Sequence, residues 1–430
     1  MTPDVMRYLP HALFTILITG TGLPNAISDT YDNAPPPVEK DVAAEEVKEP
    51  APVSLIPTAS FFTRYELREG YDLVGRNHPR FRESDATFYR ARFGLSTTPS
   101  DLGDGKSVVL KFEAQASGFW ADKDNTLSDG NLQMHQATMR LKGDGYWLDA
   151  GRFEMAYGEH LVIGSVGWHQ TGRTFDGLRT RLDAGDGWVD LFFTQVAEDP
   201  AQVKPFAAGD QYFTGIYAGL GPIIGPDIEL DTYLLSQISP RVDADSELGA
   251  QFTLGSRFKK SFGSIFVRAE AGLQVGVGER DQLAYQGDAE VGTHISKTQL
   301  ALGGWFASGD DPDTATNEGW DQLYPTGHKF MGLADIIGAR TNIMGTVVRV
   351  KHPMSMVTLG VDTHFFLRPE TPETVDAFTA VEVDSWAMHK IGKGLGLRLG
   401  YSIFIPNESG SHGTDELAHY LEVQLKYALK

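Results

Sequence analysis

Residues 147–182 decide the fold of this chain and read WLDAGRFEMAYGEHLVIGSVGWHQTGRTFDGLRTRL. One short alternating segment opens the stretch, a long loop rich in glycine and aromatic residues follows, and a second alternating segment closes it. In that second segment Leu178 and Leu182 lie on one face while Arg179 and Arg181 lie on the other, because successive side chains of a strand point to opposite faces. The pattern predicts a strand with water on one side and a core or a membrane on the other.

The composition narrows the class of protein. The chain has 430 residues, 47 of them glycine, and no cysteine, so it has neither a disulfide framework nor a thiolate metal site. Its formal net charge of −20 argues against a nucleic-acid surface. No run of roughly eighteen or more apolar residues occurs, so no transmembrane helix is expected. The strands of a membrane barrel, however, carry only alternating hydrophobicity and escape that criterion.

Three regions follow one another along the chain. Residues 1–28 are predicted to be a secretory signal peptide, in which the small residues Ala26 and Ser28 precede the cleavage site. Residues 29–59 are rich in proline, alanine and glutamate and cannot bury enough apolar surface to become ordered. They are predicted to form a disordered periplasmic tail, and an ordered arm is the alternative only near residues Val53–Ile56. Residues 60–430 are predicted to form one β-barrel.

From residue 61 onward alternating segments succeed one another, about eighteen in all. Short turns, such as GDG at 143–145 and GKG at 392–394, separate one set of neighbours. Long connections separate the other set: 69–85, 118–130, 155–173, 198–210, 238–245, 308–340, 368–378 and 406–416. This rhythm is typical of a transmembrane antiparallel up-and-down barrel with short periplasmic turns and long extracellular loops. We expect the 308–340 loop to lie outside the barrel.

The same alternation assigns the faces of the predicted strands. Val267, Ala269 and Leu359 are expected to face the lipid, and Arg268 the lumen. The alternative is a soluble protein of several β-sandwiches whose apolar faces pack together. That architecture would need several cores, and no linker divides residues 60–430.

Several longer motifs resemble the alginate-export family of outer-membrane β-barrels. They are GRFEMAYGEHLVIG at 151–164, TGRTFDGLRTR at 171–181 and GWDQLYPTGHKFMGLADIIGAR at 319–340. Strand alternation does not dictate the last of these motifs, which makes it the most specific. The resemblance implies a large barrel, typically of about eighteen strands, in the outer membrane of a Gram-negative bacterium. The last strand ends Tyr-Ala-Leu-Lys, which departs from the terminal aromatic residue usual in such barrels.

Arginines on the polar faces of the strands are the candidate site. Their guanidinium groups can bind carboxylates bidentately. The predicted pore-lining residues are Arg64, Arg90, Arg92, Arg152, Arg179, Arg181, Arg268 and Arg398. Arg152 shares a face with Leu148 and Ala150, so it belongs here only if a bulge or a strand end turns it inward. The alternative is that lumen arginines and acids pair with one another and stiffen the wall.

Metal binding and catalysis find little support. Asp310, Asp311 and Asp313 are a weak candidate for Ca²⁺ at an outer loop, because clustered carboxylates suit that ion. Their spacing is not that of a recognised calcium loop, so a solvated acidic loop is the alternative. No motif places serine, histidine and a carboxylate together as a hydrolase requires. The sequence predicts no enzyme and no further cofactor.

The predicted function is an outer-membrane channel for passive export or diffusion. Its permeant would be an anionic, alginate-like polysaccharide or small anionic solutes. The predicted partners are the lipid bilayer and lipopolysaccharide, with no nucleic acid, and the barrel is expected to be monomeric. The alternative is a structural or adhesive barrel with a closed pore, whose long loops bind a surface partner. A pore-blocking role for the 155–173 and 308–340 loops would favour that alternative.

Overall fold

The computed structural model describes residues 52–71, 84–120, 132–197, 210–225, 227–239, 249–277 and 281–429. The predicted signal peptide, most of the predicted tail and parts of several extracellular loops lie outside these residues. Among the described residues no helix is long and apolar enough to cross a membrane.

The described residues form nineteen strands and two short helical turns. The first ten strands are β1 Leu55–Glu69, β2 Ser84–Thr97, β3 Ser100–Gly103, β4 Lys106–Phe119, β5 Leu132–Gly143, β6 Tyr146–Phe153, β7 Phe175–Ala184, β8 Gly187–Ala197, β9 Gln211–Gly219 and β10 Ile228–Ser239. The remaining strands are β11 Gly249–Phe262, β12 Ile265–Val277, β13 Gln282–Ile295, β14 Thr298–Ala307, β15 Ile343–Pro353, β16 Val357–Leu367, β17 Phe378–Gly392, β18 Leu395–Pro406 and β19 Ala418–Leu429. Helix α1 is Gly221–Ile224, and a 3₁₀ turn is Gly327–Lys329.

The strands close into one antiparallel barrel. Each strand pairs with its sequence neighbours, β2 pairs with β4, and β1 pairs with β19 to complete the ring. The short β3 only extends the turn before β4, so eighteen of the described strands build the wall. The predicted fold class is confirmed, because an alternating pattern with short turns leaves each strand its chain neighbour as the nearest partner.

The first strand begins earlier than the sequence indicated. β1 starts at Leu55, inside the 29–59 range that was assigned to the disordered tail. The main chain of residues 55–59 continues the ladder with β2, from Leu55 opposite Thr97 to Ala59 opposite Phe93. Pairing to an existing strand orders a segment that has too little apolar surface of its own.

The faces of β12 follow the predicted alternation. Leu273 and Val275 are exposed on the outside, at 42% and 45%, whereas Glu270 and Gln274 are buried in the lumen. Leu359 on β16 is likewise exposed. A belt of apolar side chains therefore surrounds the barrel and polar side chains fill its interior, as a barrel in a bilayer requires.

Two long connections do not project outward. Residues 155–173, between β6 and β7, and residues 320–340, from the connection between β14 and β15, fold back into the lumen. We call them the first and the second inward loop. Residues 312–315 of the second connection are exposed. Met155, Trp320 and Met331 are each at most 2% exposed, so the prediction that 308–340 lies outside is wrong for the second inward loop. Its apolar side chains need burial, and a wall of this many strands leaves room for them inside.

Candidate functional site in the barrel lumen

The two inward loops are joined through their main chains. Ile163 and Tyr324 form an isolated parallel β-bridge. The amide of Gly164 donates to the carbonyl of Tyr324 over 2.8 Å, and the amide of Tyr324 donates to the carbonyl of Val162 over 3.0 Å. Main-chain bonds of this kind hold both loops as one unit inside the barrel.

One side of the lumen is packed with aromatic rings. Tyr157 of the first inward loop stacks on Tyr217 at 4.2 Å between ring centroids, and Trp188 and Tyr233 extend the stack. The phenol of Tyr157 donates to Asp190 over 2.8 Å. We call the lumen face of β6–β10 the aromatic side. Its buried rings fill the space between loop and wall, so it resembles the core of a soluble protein.

The opposite side is charged. On β1, Arg64 donates to the carbonyl of Trp168 over 2.6 Å and lies 3.8 Å above the Trp168 ring. On β2, Arg90 donates to the carbonyls of His169 and Gly167 over 2.8 and 3.1 Å. We call the lumen face of β15–β19, β1 and β2 the charged side. Here the wall holds the first inward loop through guanidinium groups and main-chain carbonyls.

The second inward loop meets the charged side at residues 332–334. The amide of Leu333 donates to Asp384 over 3.0 Å, and the amide of Ala334 donates to Glu382 over 2.7 Å. From the other flank the phenol of Tyr71 donates to the carbonyl of Ala334 over 2.7 Å. Two carboxyls of β17 therefore fix the position of this loop tip.

An ion cluster ties both inward loops to β11. Glu159 of the first loop contacts Lys329 of the second over 2.9 Å, and Arg257 and Lys259 over 3.2 and 3.4 Å. Burial raises the pKa of Glu159, but the hydrogen bond and charge of Lys329, with Lys259 and Arg257, lower it further, to about 2. The carboxylate is ionised at any physiological pH and clamps the two loops together.

A cavity of 280 Å³ remains between the second inward loop and the charged side. The indole ring of Trp386 packs directly on Gly360 of the wall, where the Cβ of any other residue would overlap it. Arg349 and Arg398 border the cavity with their guanidinium groups, and Asp362 with its carboxyl. The cavity thus combines an indole face with polar groups of both signs.

Seven of the eight predicted arginines lie on lumen faces, and six of these seven pair with carboxylates. The pairs are Arg64–Glu66 at 2.5 Å, Arg92–Glu154 at 2.9 Å, Arg179–Asp149 at 3.0 Å, Arg181–Asp190 at 2.5 Å, Arg268–Asp288 at 2.5 Å and Arg398–Glu422. Arg90 differs, since both of its hydrogen bonds go to main-chain carbonyls and no carboxylate pairs with it in the described ranges. All seven lie on lumen faces, and their role in binding a permeant stays a prediction.

Arg152 does not line the lumen. The register of β6 with β5 and β7 is regular, so Arg152 lies on the same outward face as Leu148 and Ala150. Its guanidinium pairs with Asp176 on β7, with both hydrogen bonds at 2.6 Å. No bulge turns the residue inward, and its inclusion among the pore-lining residues was wrong.

The register assembles a cationic patch that the sequence analysis missed in part. Phe62 on β1 stands opposite Arg90 on β2 and opposite Lys426 on β19. Arg92 follows two residues further along β2 on the same face. We call Arg90, Arg92 and Lys426 the cationic patch. Lys426 is exposed to the lumen and makes no ion pair with the part of the chain that is described. Alternation in the last strand predicted its face, but closure of the barrel was needed to place it beside Arg90.

The acidic outer loop does not form a metal site. Asp311 accepts the amide of Asp313 over 2.9 Å, and Asp310 accepts the amide of Glu318 over 3.0 Å. Within the described residues no group of three histidine, cysteine or acidic side chains has the arrangement needed to hold a metal ion. The side chains of Asp310 and Asp311 instead order the main chain of their own loop.

Comparison with known proteins supplies the family. A family model described as alginate export matches residues 114–428. A comparison with curated proteins finds no match.

Solved structures of similar fold come from Pseudomonas aeruginosa. OccK11 (OpdR) superposes with a TM-score of 0.61 at 13% identity, covering 87% of this chain and 96% of that one. OpdK with vanillate has a TM-score of 0.60 at 13% identity, covering 87% and 98%. OccK2 (OpdF) in complex with glucuronate has a TM-score of 0.58 at 12% identity, covering 87% and 96%. The superpositions show a shared barrel fold.

Proposed function

Because the chain belongs to the alginate export family and forms an outer-membrane channel, we propose that it conducts carboxylate-bearing anions. The permeants would be small organic acids or the uronate units of an alginate-like polysaccharide. The observation that carries the proposal is the cationic patch. Two of its members, Arg90 and Lys426, pair with no carboxylate in the described part of the chain, so no neighbouring carboxylate neutralises their charge.

The location of the patch supports this function. Lys426 is exposed to the lumen, whereas Arg90 is 5% and Arg92 8% exposed. Arg92 is partly neutralised by Glu154 at 2.9 Å and Glu113 at 3.8 Å. Cations set in a low-dielectric wall focus their field into the lumen, and local charge at a narrow ring governs selectivity. The net charge of −20 bears little on permeation, because charges in outer loops are screened by salt over about 8 Å.

Two solved structures of this fold were obtained with carboxylates, namely OpdK with vanillate and OccK2 with glucuronate. Those ligands belong to those proteins. They favour a carboxylate permeant here only together with the cationic patch. We propose in addition that the chain performs no covalent chemistry, needs no cofactor, and works as a single barrel in contact with lipopolysaccharide.

The experiment is a reversal-potential measurement across a salt gradient in planar bilayers. The wild-type channel should prefer chloride over potassium. The double variant Arg90→Gln, Lys426→Gln should shift the permeability ratio towards cations by roughly two- to fivefold, since a unit charge at about 8 Å in water contributes about 0.5 kcal/mol. The control Arg152→Gln removes a cation from the outer face and should leave the ratio unchanged. A wild-type channel that already prefers cations would refute the proposal.

The adhesive alternative also has an observation in its favour. Both inward loops occupy the lumen, which the sequence analysis had named as a sign of a closed pore. The same folding, however, withdraws the second inward loop from the cell surface, where an adhesive loop would have to be. Conductance separates the two functions, because an open channel gives stable ohmic current and a closed adhesive barrel gives none.

A further inference from the structure

Two carboxyls lie side by side in the lumen where the second inward loop touches the wall. Glu382 and Asp384 are 0% and 3% exposed and point inward from β17. They accept the amides of two successive loop residues, Leu333 and Ala334, and neither forms an ion pair with a lysine or arginine among the described residues. Two carboxyls buried this closely do not both ionise, so the pair keeps one proton.

The two carboxyls hold the loop tip. Glu382 Oε1 accepts the amide of Ala334 over 2.7 Å and the hydroxyl of Ser402 over 3.0 Å. Asp384 Oδ2 accepts the amide of Leu333 over 3.0 Å and lies 3.4 Å from His364 Nε2. Each carboxyl therefore gives one oxygen to a loop amide while the pair shares one proton.

The loop fits this arrangement closely. Gly332 has a φ of +90°, a left-handed conformation that favours glycine. A Cβ at Gly332 would also overlap the Glu382 carboxyl. Glu382 Oε2 and Asp384 Oδ1 have no hydrogen-bond partner among the described residues. The main chain at Gly332 therefore packs directly against the carboxyl of Glu382.

We propose that Glu382 and Asp384 form a proton-linked latch that positions residues 332–334 and thereby sets the width of the constriction on the charged side. With one shared proton the latch is closed. Loss of that proton under alkaline conditions places two carboxylates side by side in a buried site. Their repulsion separates them, the amides of Leu333 and Ala334 lose their acceptors, and the tip moves out of the lumen.

Other charged and titratable groups face the pair from the packed elements. Asp362 and His364 on β16 act on Asp384, and Tyr71 acts on Glu382; Arg68, Glu66 and Asp335 lie around Tyr71. The acids in this set oppose a second negative charge on the pair, while Arg68 and His364 favour it. None of them replaces the two acceptors that the loop amides use.

Three variants test the latch through unitary conductance in planar bilayers, recorded from neutral to alkaline pH. The wild-type conductance should rise as the proton is lost. Glu382→Gln supplies a fixed N–H in place of the shared proton, so the low conductance should persist at alkaline pH. Gly332→Ala forces the tip off the carboxyl and should give the high conductance at every pH. Asp176→Asn, which neutralises an acid on the outer face of β7, should keep the wild-type step.

Accessibility gives a second readout. The chain has no native cysteine, so Leu333→Cys introduces a single thiol at a position that is 5% exposed. Its reactivity towards a thiol reagent, normalised to Thr316→Cys in the outer loop, should rise at alkaline pH and stay low in the Glu382→Gln background. A wild-type conductance without an alkaline step, or a step that survives Glu382→Gln, would overturn the latch. Ion selectivity from reversal potentials is a separate quantity, so a failed latch leaves the anion proposal intact, and the reverse holds too.

Discussion

The aromatic side and the charged side of the lumen hold the same two loops by different physics. On the aromatic side Tyr157, Tyr217 and Tyr233 are buried and stacked, and their phenols donate hydrogen bonds to acidic side chains of the wall strands. On the charged side guanidinium groups and carboxyls bind the loop main chain around a cavity of 280 Å³. Apolar packing is insensitive to pH and excludes water, whereas polar contacts to a main chain depend on charge. We therefore propose that the aromatic side mainly anchors the loops and that permeants pass along the charged side.

The largest effect is expected from removing the second inward loop. Replacing residues 320–337 with a short glycine–serine linker should raise unitary conductance several-fold, because the wall strands pair without the loop and the constriction is gone. Replacing residues 372–376 in the exposed β16–β17 connection should change nothing. Unchanged conductance in the first variant would place the permeation path elsewhere.

Anchoring on the aromatic side is tested by Tyr217→Ala. The loss of a buried ring from the centre of the stack should destabilise the barrel with its loops by roughly 3–5 kcal/mol, measured by thermal unfolding in detergent. Tyr217→Phe keeps the ring and loses only the hydrogen bond to Asp231, which also pairs with Arg257, so it should cost about 1 kcal/mol. Equal losses in both variants would show that the ring contributes little.

The ion cluster that joins the two inward loops predicts that the stability of the protein falls at acidic pH. The pKa of Glu159 is depressed from 4.5 to about 2, so its contribution is fully present above pH 4.5 and disappears as the pH falls through about 2. The contribution is at most about 3 kcal/mol. Thermal stability of the wild type should therefore fall in this acid range more steeply than that of Glu159→Gln. Parallel profiles for the two proteins would show that the Glu159 carboxylate does not stabilise the protein in this pH range.

The smallest effect is expected at Arg152. Arg152 and Asp176 are 40% and 49% exposed on the outer face, and exposed pairs contribute about 0–1 kcal/mol. Arg152→Gln should leave conductance and selectivity unaltered and lower stability by less than about 1 kcal/mol. A marked selectivity change would mean that the residue reaches the lumen after all.

The wall could be predicted from sequence, and the inward loops could not. A period of two residues reports the two faces of a strand directly, so the faces of β12 and β16 and the lumen positions of Arg179 and Arg181 followed from alternation. The 308–340 loop has no such period. Its apolar run around Met331 and Ile336 was a signal for burial, but it does not say whether a core, a membrane or a lumen receives the run.

Pairs across the barrel were likewise out of reach. Arg90 and Lys426 are far apart in sequence and become neighbours only when β19 closes against β1. Glu382 and Asp384 lie on a strand whose alternation is blurred, and their importance depends on a loop that folds back onto them. Local alternation indicates which face of the wall a charged residue occupies. Closure of the barrel and burial of the loops determine which charged residues become neighbours.

Chemical modification of the Lys426→Cys variant tests the separate roles of the two lumen sides most directly, since the native chain has no cysteine. Lys426→Cys and, on the aromatic side, Phe153→Cys would each be treated in the bilayer with a sulfonate-bearing thiol reagent while current is recorded. We predict that the Lys426→Cys current falls on addition of the reagent and that the Phe153→Cys current does not change. A fall in the Phe153→Cys current, with Lys426→Cys unaffected, would contradict it.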